Sequence, residues 1–540
     1  MSLDILVRTL GGGPLLRDYL AGDRALAPFF PGSPFDPDAY RRKAADVRLR
    51  FDPASLRAMA GAVRPLSDPA RERLDRIAAG EGFLVTTGQQ PGLFGGPLYT
   101  VSKALSAVAL AARLEALLDA PVLALFWIAS DDHDWDEANH VHVLDSANAL
   151  HRLALDGDPA SIRSMGRRDL QGGAETALDQ LADILPPSEF TPIVLERIRD
   201  AYSGGTVAAA FTAIMAGLCD GLTLGLVDAQ DPVVRRLGEP VIRRELERSE
   251  AHEAALAGQT ARLEAAGYGG QVAILPGASN VFYEDGAGRE RLVREEGGWQ
   301  LRSSRRRLGA EEVGSLLAEA PERFSGNVVL RPVVESAVFP TLAYVGGPGE
   351  VSYLAQTGCL FEAHGVGMPL IVPRLSVTLV EGKVRKVLAK FGLDVADFGR
   401  PVHELVAEVV REEVPADVEA AVGRLRESVQ AGYEAVYEAA RGIDPTLKGP
   451  IFQARGEAFK GVADVEKKIR QHLKAQNETG LEQLEKAAAN LAPLGKPQER
   501  VLNVHQYIAR YGGGLLGAIL ERMEIRLDGT GSGWAGPECG

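Results

Sequence analysis

Residues 122–128, Val-Leu-Ala-Leu-Phe-Trp-Ile, are apolar at every position, so a strand built from them must be covered on both faces. A parallel sheet flanked by helices meets that demand. Upstream, Phe83-Leu84-Val85-Thr86-Thr87 is a short β-branched run ending in the loop Gly88-Gln89-Gln90-Pro91-Gly92-Leu93-Phe94-Gly95-Gly96. Pro97 suits the first position of a helix. Leu98, Val101, Leu105, Val108 and Ala112 then follow at alternating spacings of three and four, which predicts one buried stripe. Strand, helix and strand form a βαβ unit with a right-handed crossover.

The same grammar returns downstream. Leu342-Ala343-Tyr344-Val345 leads into Gly346-Gly347-Pro348-Gly349-Glu350 and a helix carrying Val351, Leu354 and Phe361. Pro369-Leu370-Ile371-Val372 leads into Pro373-Arg374-Leu375-Ser376, and Leu222–Val227 before Asp228 reads as a further core strand. Ligands of open α/β sheets sit beyond the carboxyl ends of the strands. Four segments ending in polar or Gly-rich clusters (83–90, 122–134, 342–350 and 369–376) therefore predict one shared crevice. Around this core, residues 1–80 read as short charged helices and 81–145 as the first half of the sheet. Residues 146–325 read as an insertion, with strand-like pieces at Val272-Ala273-Ile274 and Val281-Phe282-Tyr283, and 326–385 as the second half of the sheet. From 386 to 495 the chain reads as helical, and 496–540 as a segment returning to the core. Val418, Val422, Leu425, Val429, Tyr433 and Val436 make one stripe; Val462, Val465, Ile469 and Leu473 make another. With Gly442, Pro445, Gly449 and Pro450 marking a bend, the two predict an antiparallel hairpin whose free face pairs with a second copy.

Composition narrows the class of function. The 540 residues carry 59 Lys and Arg against 73 Asp and Glu, a net charge of −14. That balance disfavours nucleic acid, whose binding draws on counterion release at a basic surface. Cys219, Cys359 and Cys539 are too scattered for a disulfide framework or a cysteine zinc site. No long uncharged apolar window or leader pattern is present, so a cytoplasmic protein with no membrane span is expected.

Three clusters carry candidate chemistry. Backbone N–H groups of Gly95 and Gly96 before a helix make an anion site, with Tyr99, Thr100 and Lys103 on its polar side; a solvated helix face is the plainer alternative. The loop fits neither a phosphate-binding GxxxxGK[ST] nor a GxGxxG fingerprint. The one GxGxxG, at Gly531, Gly533 and Gly536, has no helix after it. Asp131-Asp132-His133-Asp134, continuing through Asp136 and Glu137, suits an ammonium, with His133 as a general base. A metal held by Asp132, His133, Asp136 and His140, serving a hydrolase or transferase, is one alternative; an acidic solvated turn is another. Arg374 and Ser376 suit a phosphate or carboxylate, unless Arg374 pairs with Glu335 or Glu381. Glu350, Tyr353 and Gln356 share one side of the later helix. Cys359 reads as a small buried residue rather than a nucleophile.

Several strings also resemble a known family. Thr86-Thr87-Gly88-Gln89-Gln90-Pro91-Gly92-Leu93-Phe94-Gly95-Gly96-Pro97 through Lys103, Phe126-Trp127-Ile128-Ala129-Ser130-Asp131-Asp132-His133-Asp134, Val345–Tyr353, Val372–Ser376 and Gln498–Asn503 are similar to the bacillithiol-biosynthesis cysteine-adding enzymes. The resemblance implies an α/β, Rossmann-like core akin to class I aminoacyl-tRNA synthetases and nucleotidyltransferases. It implies an inserted connective-peptide subdomain and a C-terminal antiparallel coiled coil that makes a homodimer. The implied reaction joins the carboxyl of L-cysteine to the amine of glucosaminyl-malate. Tyr99-Thr100-Val101-Ser102 stands where the synthetases carry His-Ile-Gly-His, and Pro373-Arg374-Leu375-Ser376 stands without the lysines of Lys-Met-Ser-Lys-Ser. The carboxyl activator, ATP or another group, stays open, and no metal is expected. In this reading Thr87, Gly88, Gln89 and Gln90 line the substrate site. Gly95, Gly96, Thr100, Lys103 and Arg374 hold a phosphate or the malate carboxylates. Asp131, Asp132 and Glu350, beside Asp134, hold an ammonium; His133 takes its proton. A non-catalytic scaffold with a synthetase-like core is the competing class.

Overall fold

The computed structural model describes residues 2–170, 172–412 and 414–529. Cys539 and the Gly531, Gly533 and Gly536 triplet lie outside them. The described residues form two compact units, one of residues 5–379 and 499–529, the other of 2–4 and 380–498.

The larger unit is built on a six-stranded sheet: β1 (Arg64–Pro65), β2 (Phe83–Gln89), β3 (Val122–Ile128), β4 (Leu224–Asp228), β5 (Thr341–Gly346) and β6 (Leu370–Pro373), in the order β6-β5-β2-β3-β4-β1. Five strands are parallel, and β1 runs antiparallel along β4. This is a Rossmann-like α/β core. The region expected to be helical up to residue 80 thus also supplies an edge strand, and it opens on another strand at Leu3–Thr9. β2 and β3 stay in register from Phe83 opposite Val122 to Gln89 opposite Ile128, which brings their carboxyl ends level.

The helix joining β2 to β3, α1 (Tyr99–Leu118), is buried on more than one stripe. Thr100, Ser102, Lys103 and Ser106 are as inaccessible as Val101 and Leu105, whereas Ala112 is exposed. Pro97 does not start it; Pro97 bridges to Asn503 and the helix opens two residues later. α2 (Pro348–His364) joins β5 to β6. Close approach of β2 and β3 leaves no room at Gly88, where a Cβ would lie 2.7 Å from the Trp127 carbonyl oxygen. Gly88→Ala is therefore expected to cost about 1–3 kcal/mol, read as a lower urea midpoint at unchanged slope.

Between β4 and β5 the chain forms a second, antiparallel sheet, ordered Arg307–Gly309, Gly298–Leu301, Gly288–Glu295, Ala278–Asp285 and Phe324–Gly326. Its Tyr283, Leu292 and Trp299 share one apolar cluster with Leu360 and Phe361 of α2, which seats the inserted sheet beside the core strands. Val272-Ala273-Ile274 is not a strand but a loop before this sheet, and the Val272 N–H donates to the Gln356 side chain instead of a neighbouring strand.

In the smaller unit, α3 (Ala416–Ala440) and α4 (Lys448–Gln476) make an antiparallel hairpin. Arg426 pairs with Glu466 at 2.6 Å, and the Tyr437 and Phe452 rings meet at 5.4 Å. Gly442 and Pro445 lie in the connecting turn, while Gly449 and Pro450 fall in the first turn of α4. None of the α3 side chains is buried, and Leu425, Val436 and Val465 are each about half exposed. Among the described residues, no helix is long and apolar enough to cross a membrane.

Candidate active site

The carboxyl ends of β2, β3, β5 and β6 meet around one cavity of about 670 Å³. Gly88, Gln89 and Gln90 reach it from β2, Asp131, Asp132 and His133 from the turn after β3, Glu350 and Tyr353 from α2, and Arg374 from the end of β6. The inserted sheet closes it with Phe282, Arg289 and Arg291. Six cationic side chains and four carboxylates line the wall, an acid-seeking excess in a chain that is acidic as a whole.

The floor is a closed hydrogen-bond set around Lys103. Its ammonium donates to the Gly88 carbonyl (2.9 Å) and to Gln89 Oε1 (2.9 Å), and pairs with Glu350 (2.5 Å), which uses all three donors. Burial lowers the Lys103 pKa against the pull of Glu350. Burial also opposes the Glu350 charge, but Lys103, together with the Tyr344 hydroxyl and the Gly347 N–H, holds that carboxyl below its ordinary range. Gln89 Nε2 donates to the Tyr99 hydroxyl at 3.0 Å. Burial raises the Tyr99 hydroxyl, with Glu137 and Glu350 adding to it. Arg331 pairs with Glu335 and donates to the Tyr344 and Tyr353 hydroxyls (3.0 and 3.3 Å). Burial pushes the Tyr353 hydroxyl up to about 12.

The acidic turn divides its labour. Asp131 is paired with Arg235 at 3.0 Å, so its charge is already met. Asp132 accepts from the His133 N–H and keeps its side chain two-fifths exposed. Asp134 caps the short helix Trp135–Ala138, accepting from the Glu137 N–H, and is not on the cavity wall. His133 stands on that wall, but its Nδ1 faces the Arg289 guanidinium at 3.0 Å. An arginine has no lone pair to offer, so Nδ1 is the acceptor and the neutral ring carries its proton on Nε2. Burial, then the Arg289 charge, lowers its pKa. The expected base is thereby turned into a donor. Glu137, although an exposed residue, has the opposite setting: desolvation by the cavity wall, then Asp132 and Asp134, raises its pKa.

Several expected contacts are spent elsewhere. The Gly95 and Gly96 N–H groups bond to the Gly92 and Leu93 carbonyls, and both residues sit at positive φ (86° and 72°). Their glycines answer to a left-handed turn and not to an anion. Thr87 Oγ1 donates to the Val345 carbonyl, latching β2 to β5, and Thr100 is fully buried off the cavity. Arg374 reaches the wall but is held by both oxygens of Glu499 (2.7 and 2.8 Å), to which Ser376 also donates. Its partner is neither Glu335, which Arg331 takes, nor Glu381. Gln356 accepts from the Gln271 and Val272 N–H groups, fixing the loop that lines the cavity.

The residues missed by sequence reasoning are Arg289, Arg291, Arg331 and Arg500, and Glu137 was named only as part of the acidic run. Arg289 is anchored to Ser325 and the Gly326 carbonyl and stacks on Phe282. Arg291 donates to the Ser279 carbonyl and to Asn280 Oδ1; among the described residues neither it nor Arg500 has a carboxylate within ion-pair distance. Only Glu137 carried a visible signal, its place in the acidic string.

Asp132, His133, Asp136 and His140 do not converge as a metal site. Among the described residues, the one group of three whose ligand atoms lie within 4.8 Å of each other is Glu245, His252 and His364, off the cavity wall. Glu245 accepts from Asn280 with its other oxygen, and Asn280 Oδ1 accepts from Arg291 and Asn327, so this cluster braces the cavity wall from behind. Burial pushes the Cys359 thiol up to about 11, unsuited to a nucleophile.

The family model for the bacillithiol biosynthesis BshC N-terminal Rossmann-like domain matches residues 4–375, and that for the BshC C-terminal coiled-coil domain matches 377–526. A protein from Salinibacter ruber named "Putative cysteine ligase BshC" is 34% identical over 96% of this chain and 95% of its own length. Relatives of the same name from Chlorobaculum tepidum (33%) and Symbiobacterium thermophilum (31%) each match over 84% of this chain and 83% of their own.

Proposed function

The chain belongs to the bacillithiol biosynthesis BshC family, and we propose that it is a cysteine ligase joining the carboxyl of L-cysteine to the amine of glucosaminyl-malate. The observation that carries this reading is the pair Arg289 and Arg291, held by hydrogen bonds to neutral groups on the wall of a cavity with a positive excess, Arg289 having Asp132 at 4.0 Å and Arg291 no carboxylate partner among the described residues. A dicarboxylate such as malate is the complement of two fixed guanidinium groups. Asp132, its side chain two-fifths exposed and 4.0 Å from the Arg289 guanidinium, receives an ammonium. Glu137, whose pKa is raised above the ordinary glutamate value, takes the proton that the amine loses as the amide nitrogen forms. His133, donating through Nε2, faces the developing charge on the cysteine carboxyl oxygen. Lys103 and Glu350 position Gln89 and Tyr99 and stay out of the chemistry.

Amide formation from a free carboxylate is uphill in water, so the cysteine carboxyl reacts as an activated acyl group: the C–N bond forms as the bond to the activating group breaks, and that group leaves with the carboxyl oxygen. The elements expected to cradle phosphates do not fit a triphosphate, because the Gly95 and Gly96 N–H groups, Lys103 and Arg374 are all engaged. Cells lacking the protein accumulate glucosaminyl-malate in their cytoplasm; a flat precursor pool on deletion refutes the assignment. The half-exposed Leu425, Val436 and Val465 of the hairpin are covered by the same face of a second copy. Sedimentation of the purified chain is expected to give twice its mass, falling to the single mass for Leu425→Asp with Val465→Asp.

A further inference from the structure

Arg291 reaches the cavity wall from the inserted sheet and is half-buried. Its Nε donates to the Ser279 carbonyl at 2.6 Å, and one terminal nitrogen donates to Asn280 Oδ1 at 3.3 Å. Both acceptors are neutral, so the guanidinium is held in place while its charge stays available. Arg374, on the same wall, shows the contrast: Glu499 grips it with both oxygens and cancels its charge.

What aims Asn280 at Arg291 lies one layer deeper. Glu245, in the last turn of the helix Pro232–Glu247, is wholly buried. Among the described residues its ion-pair partners are His252 and His364, with no arginine or lysine. Burial opposes its charge, but hydrogen bonds from the two histidines hold the carboxyl below its ordinary range. Glu245 Oε1 accepts from the Asn280 main-chain N–H (3.2 Å) and from Asn280 Nδ2 (2.9 Å); Oε2 faces His252 Nδ1 at 2.6 Å and His364 Nε2 at 3.4 Å. A carboxylate offers lone pairs alone, so the Asn280 amide turns its NH2 to Glu245 and its oxygen away. That oxygen meets donors only, Arg291 and, at 2.9 Å, Asn327 Nδ2. Burial, then the Arg302 charge, lowers the Arg291 pKa, and Glu245 pulls against both.

We infer that Glu245 is a positioning residue for substrate selection: through Asn280 it holds the Arg291 guanidinium oriented and un-neutralised on the cavity wall, so that the site prefers a sugar amine carrying a dicarboxylate over the same sugar with that acid masked. The inference rests on the malate reading of the cavity. Losing Glu245 leaves Asn280 Nδ2 without its acceptor; the amide is then free to turn, and Arg291 keeps the Ser279 carbonyl alone. A guanidinium fixed before the ligand arrives loses less freedom on binding, which is where the affinity comes from.

Calorimetric titration of the full-length protein with glucosaminyl-malate and with its dimethyl ester tests this. The wild type is expected to favour the acid by at least about tenfold, the scale of one hydrogen bond to a charged group. Glu245→Leu loses that preference by weakening the acid, with the ester's affinity unchanged. Glu245→Gln keeps it, because Oε1 still accepts from Asn280 while Nε2 donates to the His252 ring. Where Glu245→Leu does not fold, Asn280→Ala carries the same measurement, since it cuts the link and leaves Glu245 its histidines. Acid and ester weakened by the same factor, a preference that survives in the leucine or alanine variant, or a glutamine variant as poor as the leucine one overturns the inference. A wild type that binds both ligands alike, or neither, refutes the malate reading instead. A crystal structure of Asn280→Ala then decides: an Arg291 guanidinium left in place overturns the inference, and a displaced one upholds it.

Discussion

Glu499→Ala is expected to destabilise the larger unit by about 3–5 kcal/mol, the cost of leaving a buried cation without its partner. Both side chains of the Arg374–Glu499 pair are only 3% exposed. The carboxylate also accepts from the Ser376 hydroxyl and the Val377 N–H, so alanine strands three donor groups at once. Replacing both partners, Arg374→Met with Glu499→Leu, recovers much of the loss, since an apolar pair of similar volume removes the uncompensated charge. Urea unfolding of the four proteins of this cycle reads the effect. Single replacements that add up to the double would show that the pair is not coupled.

Glu137→Gln is expected to lower kcat by about 10²–10⁴, the range for a missing proton acceptor, while binding of the cysteine-free sugar changes little. Desolvation by the cavity wall and the nearby Asp132 and Asp134 raise the Glu137 pKa. The carboxylate is the working form, so the wild-type rate rises with pH through a value above the ordinary glutamate range and is flat beyond it. Glutamine abolishes that rising limb. A variant retaining both rate and limb would remove Glu137 from the chemistry.

The strands of the core were legible because their chemistry is local. An uninterrupted apolar run such as Val122–Ile128 has few alternatives to a central strand, and its observed limits coincide with the run. Helix α1 was harder. Its alternating spacing suggested one buried stripe, yet the sheet, the N-terminal helix Pro37–Arg50 and the C-terminal helix Leu515–Leu520 pack on it and leave Ala112 in solvent. Val272-Ala273-Ile274 has the β-branched character of a strand, but Gln356, 84 residues away from Val272, captures its backbone.

The site divides on the same line. Residues at strand ends were found because the βα grammar places them, as with Gln89, Asp132 and Glu350. What those residues do depends on partners remote in sequence. Glu499 neutralises Arg374 across 125 residues, and Arg289 turns His133 from acceptor to donor across 156. The segment Gly288–Glu295, which carries Arg289, Arg291 and Arg294, looks like an ordinary hairpin strand. Only the packing of the inserted sheet aims two of those arginines into the cavity. Gly95 and Gly96 show the converse: a loop with the composition of an anion cradle has its N–H groups turned inward by the left-handed turn they permit.

Titration of glucosaminyl-malate into the purified protein and its Arg291→Ala variant, with no activator present, measures what the cavity is for. Saturable binding to the wild type, at least tenfold weaker in the variant, is the predicted result. Equal affinity in the two proteins, or no binding to either, would contradict a cavity that selects its substrate by the malate carboxylates.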